Sequence, residues 1–169
     1  MLKTRITIRE MLVEDIAAVV TLGYTLFTAE SPTLYRCWDE DDVLELYQNS
    51  KTLCLVAVTQ EGHVVGFALG SLLEKPGRPW KYGWLEWLGV DEAFKRRRLA
   101  RRLVNRLLDR FIEQNVRIML VDTSEDNQHA LRFFRKFGFE QEHRHIYMSI
   151  NLDSHPKVIG RKFALELED

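Results

Sequence analysis

The sequence predicts an α/β (α+β) fold in which helices cover a mixed β-sheet. The first reason is the order of its patterns: strand, helix, helix, three strands, helix, strand, helix, strand. The second is size, because 169 residues that are 46% hydrophobic suffice for one continuous core. No repeat, low-complexity segment or linker divides the chain, so we expect one domain over residues 1–169, with a core at about 5–152 and a tail at 153–169.

The N-terminal part predicts one strand and two helices. "RITIRE", at residues 5–10, alternates apolar and polar side chains, which is typical of a half-buried strand. Residues 13–28 carry apolar side chains at helical spacing, and Pro32 interrupts that pattern. "DEDDVLELYQN", at 39–49, predicts a helix whose acidic first turn complements the positive end of the helix dipole.

The middle of the chain predicts three strands. "TLCLVAVTQEGHVVGFALGSLL", at 52–73, contains two apolar runs around a turn at Glu61 and Gly62. "EKPGRPW", at 74–80, holds two prolines and a glycine and is therefore a loop. "YGWLEWLGV", at 82–90, predicts a further strand rich in aromatic residues.

A long amphipathic helix is predicted to begin near Arg97. Its apolar side chains recur every four residues, with further apolar residues beside them, so we expect one buried stripe. The stripe consists of Leu99, Leu103, Leu107 and Phe111, flanked by Val104, Leu108 and Ile112. The opposite side of this helix carries Arg98, Arg101, Arg102 and Arg106.

The remaining elements are a strand, a helix and a final strand. "VRIMLVD", at 116–122, predicts a buried strand, and "SEDNQHALRFFRKFGF", at 124–139, predicts a capped helix that ends at Gly138. "HRHIYMSINL", at 143–152, alternates as a last strand does.

Composition bounds the partners of this protein. The 24 Lys and Arg residues are balanced by 25 Asp and Glu residues, and a nucleic-acid-binding domain usually has a basic surplus. Of the two cysteines, Cys54 lies in an apolar run, and no Cys/His spacing predicts a metal site. The charged start "MLKTRITIRE" and the absence of a long apolar run favour a cytoplasmic protein with no membrane partner.

The most one-sided stretch is "FKRRRLARRL", at 94–103, in which six of the eight residues from Lys95 to Arg102 are basic. It lies at the predicted turn from a strand into a helix. Free amides and the positive end of the helix dipole make such turns anion sites, and arginines add bidentate contacts to phosphate oxygens. The alternative is a solvated arginine face of an amphipathic helix.

The unit of strand, basic turn, helix and strand resembles the GNAT acetyltransferase superfamily. Its pyrophosphate signature (Arg or Gln, two residues, Gly, one residue, Gly or Ala) falls on Lys95 to Ala100, with Val90 and Leu103 at the flanking positions. Downstream, "NQHALRFFRKFGF", at 127–139, resembles the second motif, Asn-x-x-Ala followed by an aromatic residue and Gly-Phe. The motif regions are most like those of ribosomal-protein and N-terminal protein acetyltransferases.

This resemblance implies a GNAT-like sheet that is mostly antiparallel, with one splayed parallel pair and helices on both faces. It also implies that acetyl-CoA (coenzyme A) is the cofactor. The residues implied in cofactor binding are Leu88, Val90, Lys95, Arg96, Arg97, Arg98, Leu99, Ala100, Arg101, Asn127 and Phe134. Arg98 departs from the family, which has glycine there so that backbone amides can approach the pyrophosphate closely. We expect the site to survive only if the Arg98 side chain points aside.

Two carboxylates are candidate bases for an acetyl transfer to an amine. Asp122 takes the place of a glutamate base in the N-terminal protein acetyltransferases, and being shorter it would act through a water; alternatively it caps a turn or pairs with an arginine. Glu86 lies between two tryptophans, and alternation predicts that Trp84, Glu86 and Leu88 share one face. A carboxylate there is a catalytic residue or a buried partner of an arginine.

The usual acid of the family, a tyrosine, is replaced by Phe134. Three alternatives follow: the thiolate leaves unassisted, Tyr147 substitutes as the acid, or the protein does not catalyse. Asn127 is implied in coenzyme binding, but it is also a suitable helix cap.

Two functions are therefore expected, with a third ranked last. The first is an acetyl-CoA-dependent N-acetyltransferase whose acceptor is a protein or peptide amine or a small amine, with residues 24–40 and 74–82 lining the acceptor side. The second is a catalytically weak coenzyme-A-binding regulatory module. Nucleic-acid binding ranks last, because Asp91 and Glu92 would repel a phosphate backbone lying along the basic run. Both a monomer and a homodimer are compatible with the sequence.

Overall fold

A computed structural model describes residues 5–27, 37–77, 79–95, 97–146, 148, 150–152, 154 and 156–157. The contacts divide the chain into two compact units, Met1–Phe139 and Glu140–Asp169. The regular elements lie in the first unit, apart from one short turn of helix near residue 156. They are β1 (Ile6–Glu10), α1 (Ile16–Leu26), α2 (Glu40–Ser50), β2 (Cys54–Thr59), β3 (Val64–Leu73), β4 (Lys81–Val90), α3 (Leu99–Glu113), β5 (Val116–Val121) and α4 (Gln128–Phe137).

The five strands form one sheet in the order β1-β2-β3-β4-β5. The first three pairings are antiparallel, and β4 pairs with β5 in parallel. The last β4–β5 pair is Leu85 with Val121, whereas β4 continues to Val90. The two strands therefore share only the first part of β4, and the mostly antiparallel sheet with a splayed parallel pair is confirmed.

Helices cover both faces of the sheet, as the sequence predicts. The side chains of β2 alternate: Leu55 packs with the cluster that contains α3, and Val56 packs with the cluster that contains α1 and α2. We call the α3 and α4 side the first core and the α1 and α2 side the second core. Because both sides of β2 are covered, the whole strand is buried.

Helix α3 buries most of the predicted stripe, in which Leu108 is half-buried. Leu99, Leu103, Val104, Leu107 and Phe111 are buried. Ile112, however, is 63% exposed, so its inclusion in the stripe is wrong. It follows Phe111 by one residue, which turns its side chain about 100° away from the buried face.

Two predicted boundaries move inward. A 3-10 turn, Val13–Asp15, precedes α1, so the first helix begins later than the periodicity indicates. Helix α4 begins after Asn127, whose side chain caps it, and it ends before Gly138, which has a left-handed φ of 115°.

The final strand predicted at 143–152 is wrong for the described residues of that range, which form no ladder. Ile146 and Met148 are 90% and 92% exposed. Alternation along a chain predicts a strand only where a neighbouring strand and an apolar layer are available to it. Within the second unit the described residues provide neither.

Cys54 is a core residue, as its apolar surroundings predict. It is fully buried, and burial raises the pKa of its thiol to about 12. Among the described residues, no helix combines the length and apolar character needed to cross a bilayer. In the same part of the chain, no three His, Cys, Asp or Glu side chains are grouped as metal ligands would be.

A buried carboxylate fixes the entry into α1. Asp15 is 6% exposed and accepts hydrogen bonds from two nitrogens of Arg9, at 2.5 and 3.0 Å, and from the Leu12 amide at 2.8 Å. Burial alone would raise the pKa of this carboxyl, but the Arg9 hydrogen bond, the Leu12 amide and the Arg9 charge together lower it.

This arrangement predicts an acid-sensitive contribution to stability. Because the folded-state pKa of Asp15 is below its unfolded value of about 3.9, the contribution is full above that pH and is lost as the pH falls through the folded-state pKa. The difference in free energy of unfolding between the wild type and Asp15→Asn should therefore shrink between about pH 5 and about pH 2. Urea titrations at several pH values measure it, and a difference that is constant with pH would contradict the account.

Candidate functional site

A β-bulge in β4 determines which side chains face each core. Leu69 of β3 pairs with Trp87, and the next residue pairs with Leu85, so Glu86 has no opposite residue. The extra residue reverses the alternation, since Leu85 and Leu88 both pack with the first core whereas Trp87 packs with the second. The prediction that Leu88 shares a face with Glu86 is therefore wrong.

Glu86 is half-buried and accepts a hydrogen bond from the Ser71 hydroxyl, with Oγ and Oε1 2.5 Å apart. Ser71 is opposite Trp84 in the β3–β4 register. A Cβ on Gly70 or Gly83, the neighbours of these two residues, would meet the Phe111 ring of α3. Ser71 and Trp84 therefore point away from α3, and the Glu86 carboxylate is held on the second-core side.

Asp122 follows β5 directly and is tied to β4. The indole Nε1 of Trp84 donates a hydrogen bond to Oδ1 of Asp122 at 3.1 Å. Trp84 is opposite Leu120 in the parallel register, and Asp122 is two residues further on the same face. Both candidate carboxylates are thus anchored by side chains on one face of the sheet, Glu86 by a hydroxyl and Asp122 by an indole.

The turn that follows β4 is closed by internal hydrogen bonds. The Asp91 amide donates to the Val65 carbonyl at 3.0 Å, and the Asp91 side chain accepts from the Ala93 amide at 2.8 Å. The Lys95 amide donates to the Glu92 carbonyl at 3.2 Å, and the side chains of the same two residues form an ion pair. Lys95 therefore brings neither a free amide nor an unpaired charge to the turn.

The start of α3 presents free amides. The amide of Arg102 donates to the Arg98 carbonyl at 3.0 Å, which is the first bond of the helix. The amides of Leu99, Ala100 and Arg101 have no intrahelical acceptor, and among the described residues none is hydrogen-bonded to them. Three N–H groups at the positive end of the helix dipole are therefore directed at this turn.

Arg98 takes the place of the signature glycine by adopting the backbone conformation that glycine favours. Its φ is 56° and its ψ is 24°, in the left-handed region. This conformation costs a non-glycine residue roughly 1–2 kcal/mol. The turn geometry is therefore reached without glycine, and the Arg98 side chain is exposed.

The neighbouring arginines surround the same turn. Arg97 is exposed, and its guanidinium lies over the Phe94 ring at 5.3 Å. Arg101 extends toward α4, with its guanidinium 5.9 Å from the centre of the Phe137 ring. Arg96 and Tyr147, two other predicted site residues, lie outside the described residues.

Several of the remaining residues that were predicted to bind the cofactor have structural roles, as a helix cap or in the core. Asn127 caps α4, because its side-chain oxygen accepts from the Ala130 amide at 3.1 Å. Phe134 is 9% exposed and packs in the first core between Phe133 and Phe139, at 5.2 and 5.4 Å between ring centres. Leu88 and Val90 are half-buried against the same core, and Leu99 is buried in it.

Sequence reasoning missed Ser71 and Trp84, which hold the two carboxylates. A signal for Ser71 was present, because it is the one polar side chain of the strand "VVGFALGSLL". A hydroxyl in such a strand needs a partner. No comparable signal existed for Trp84, whose partner is far away in sequence.

The profile of the acetyltransferase (GNAT) family matches residues 23–139 of this chain, which therefore belongs to that family. No curated protein matches the chain closely enough in sequence to count as a relative.

Solved structures share the fold at low sequence identity. One is the aminoglycoside N-acetyltransferase AAC(6')-Iy in complex with CoA, with a TM-score of 0.69, 22% identity, and 88% of this chain and 96% of that one covered. Ard1 from Thermoplasma volcanium has a TM-score of 0.67 and 24% identity, with 90% of each chain covered. The NatC complex bound to Gag peptide and CoA has a TM-score of 0.71 and 16% identity, with 83% and 87% covered.

The left-handed backbone of Arg98 predicts an unusual stability effect. Arg98→Gly should raise the free energy of unfolding by about 0.5–1 kcal/mol, because the relieved strain exceeds the entropy cost of a new glycine. Arg97→Gly, one residue earlier and outside the left-handed region, should lower it by about 0.5–1 kcal/mol. Denaturant unfolding measures both, and equal destabilisation by the two variants would contradict this account of the turn.

Proposed function

We propose that this protein is an acetyl-CoA-dependent N-acetyltransferase that moves an acetyl group to a primary amine by direct attack on the thioester. The acceptor is a protein or peptide N-terminus, a lysine, or a small amine. The observation that carries the proposal is the row of free amides from Leu99 to Arg101 at the start of α3, in a chain of the acetyltransferase family.

The residues at the start of α3 fit the diphosphate of coenzyme A. Amide N–H groups and the helix dipole suit a multiply charged anion, and the exposed Arg97 and Arg98 guanidinium groups add charge-assisted donors. Ala100 adds only a methyl group, so it leaves room for close approach. The cofactor supplies an acetyl group activated as a thioester, and the CoA bound in two structures that share the fold supports this choice.

The carboxylates of Glu86 and Asp122 are proposed to deprotonate the acceptor amine. An amine attacks only when it is deprotonated, and α-amino and lysine groups have ordinary pKa values of about 8 and about 10.4. Glu86 and Asp122 are candidate proton acceptors, Asp122 acting through a water. Both lie on the face of the sheet opposite α3, whereas the proposed phosphate site is at the start of that helix.

The source of a proton for the departing thiol is proposed to be Tyr147. In the family a tyrosine usually supplies this proton. In this chain its position is occupied by Phe134, which is buried and has no ionisable group. The alternative remains that the thiolate leaves unassisted.

The segment 24–40, proposed to line the acceptor side, is structural in part, and its residues 28–36 lie outside the described residues. Phe27 and Trp38, from the segment 24–40, pack against each other at 5.2 Å, and Trp38 is 6% exposed. These two aromatic residues therefore belong to the second core. The described residues of the loop at 74–82 are mostly exposed, and this loop and the remainder of the segment 24–40 stay the proposed lining of the acceptor side.

A coenzyme-A-binding regulatory module is the second candidate. The observation that favours it is Phe134, because a buried phenylalanine removes the usual acid while leaving the amides of α3 unchanged. Such a module binds acetyl-CoA without turnover.

A turnover assay separates the two functions. Release of free CoA is followed with a panel of N-terminal peptides, lysine peptides and small amines, for the wild type, Glu86→Gln and Asp122→Asn. We expect the wild type to turn over. Whichever of Glu86→Gln and Asp122→Asn removes the proton acceptor should have a kcat about 100-fold or more below that of the wild type. Tight binding without turnover at any pH would favour the module, and full activity in both variants would refute both proton acceptors.

Charge reversal at the turn tests the phosphate site. Arg97→Glu combined with Arg98→Glu should weaken acetyl-CoA binding by about 100-fold or more without unfolding the protein, since both side chains are exposed. Calorimetric titration measures the affinity.

A matched control uses the same helix. Arg98→Glu alone is compared with Arg106→Glu, an identical charge change at an exposed position two turns further along. Only Arg98→Glu should weaken binding strongly. Equal losses of acetyl-CoA affinity in the two variants would mean that the overall positive charge of the helix attracts the cofactor, and would contradict a phosphate site at the turn.

A further inference from the structure

Ser71 and Glu86 form a contact that strand pairing does not require. Ser71 is opposite Trp84 in the register, so its hydroxyl reaches diagonally to the carboxylate. The Oγ–Oε1 distance of 2.5 Å is in the range of a charge-assisted O–H···O bond.

The bulge makes the orientation of Glu86 depend on its side-chain contacts. Because Glu86 has no opposite residue on β3, the ladder does not fix its backbone as it fixes Leu85 and Trp87 on either side. Bulges re-aim side chains, and they are frequent beside active sites. A hydroxyl on the neighbouring strand is well suited to hold one oxygen of the re-aimed carboxylate.

The sequence of β3 supports a specific role for this hydroxyl. Every other residue of the strand is apolar or glycine. Valine is among the residues enriched in strands and serine is not, so sheet formation alone does not call for a hydroxyl here. Among the described residues, Glu86 is the hydrogen-bond partner of the Ser71 side chain, which ties the hydroxyl to the carboxylate.

We propose that Ser71 is a positioning residue, which holds the Glu86 carboxylate at the bulge so that it accepts the proton of the attacking amine. This inference rests on the proposed acetyltransferase function, and it takes Glu86 rather than Asp122 as the proton acceptor, a choice that the double-mutant cycle below tests. The Ser71 hydroxyl itself does not touch the reacting atoms. It donates its hydrogen to one carboxylate oxygen and thereby fixes the direction of the other.

The experiment compares two variants of nearly equal shape. Ser71→Thr keeps the hydroxyl, whereas Ser71→Val replaces it by a methyl group. Both are measured by CoA release with an acceptor that the wild type acetylates, and the melting temperature of each is recorded. Ser71→Val should lower kcat by about 10- to 100-fold, and Ser71→Thr should stay within about threefold of the wild type. The KM for acetyl-CoA should be unchanged in both.

A double-mutant cycle connects the effect to Glu86. In the Glu86→Gln background, Ser71→Val should cause no further loss, because the carboxylate that it orients is gone. In the Asp122→Asn background, Ser71→Val should cause the same fold loss as in the wild type.

The outcomes are distinguishable. A wild type that acetylates no amine would refute the proposed function. A wild type that turns over while Ser71→Val and Ser71→Thr have equal kcat would overturn the role of Ser71 and leave the function intact. Full activity of Glu86→Gln, or equal losses from Ser71→Val with and without Glu86, would also overturn it.

Discussion

The length of β4 relative to β5 is the constraint on which the rest of the structure depends. The parallel ladder ends at Leu85 and Val121, whereas β4 runs on to Val90. A strand that outlasts its neighbour keeps backbone groups unpaired on that edge beyond the last pair. The bulged carboxylate lies in the unshared part of β4, and the free amides open the helix that follows this strand in the chain.

The two sides of β4 carry different chemistry, and the bulge returns Leu88 to the same side as Leu85. Before the bulge, Leu85 packs on the first core, and after it Leu88 does the same, so α3 is held against the sheet along the whole strand. The extra residue, Glu86, is directed to the other side, where Ser71 anchors it. This division suits a transfer reaction, because a polyanionic cofactor and a cationic amine are best bound by opposite charges at separate places.

The sequence predicted the elements well because the periodicities are strong. The spacing of four from Leu99 to Phe111 and the continuous apolar run at β2 each leave one reasonable assignment. The predicted orientation of Leu88 was wrong, because a bulge shifts the following side chains to the other face and no residue type in the sequence marks its position. The prediction of a strand at 143–152 failed because alternation describes side chains and not the presence of a pairing partner.

The candidate site was predictable in location and less so in detail. The basic run identified the turn, but the left-handed backbone of Arg98 is imposed by the surrounding chain, because arginine itself disfavours it. The partners of Glu86 and Asp122 are side chains on other strands, Ser71 and Trp84, and pairing across a sheet is not encoded in local spacing. A crystal structure of the protein with acetyl-CoA tests the central claim most directly. The account predicts diphosphate oxygens within hydrogen-bonding distance of the amides from Leu99 to Arg101; a diphosphate bound elsewhere, with those amides bonded inside the protein, would contradict it.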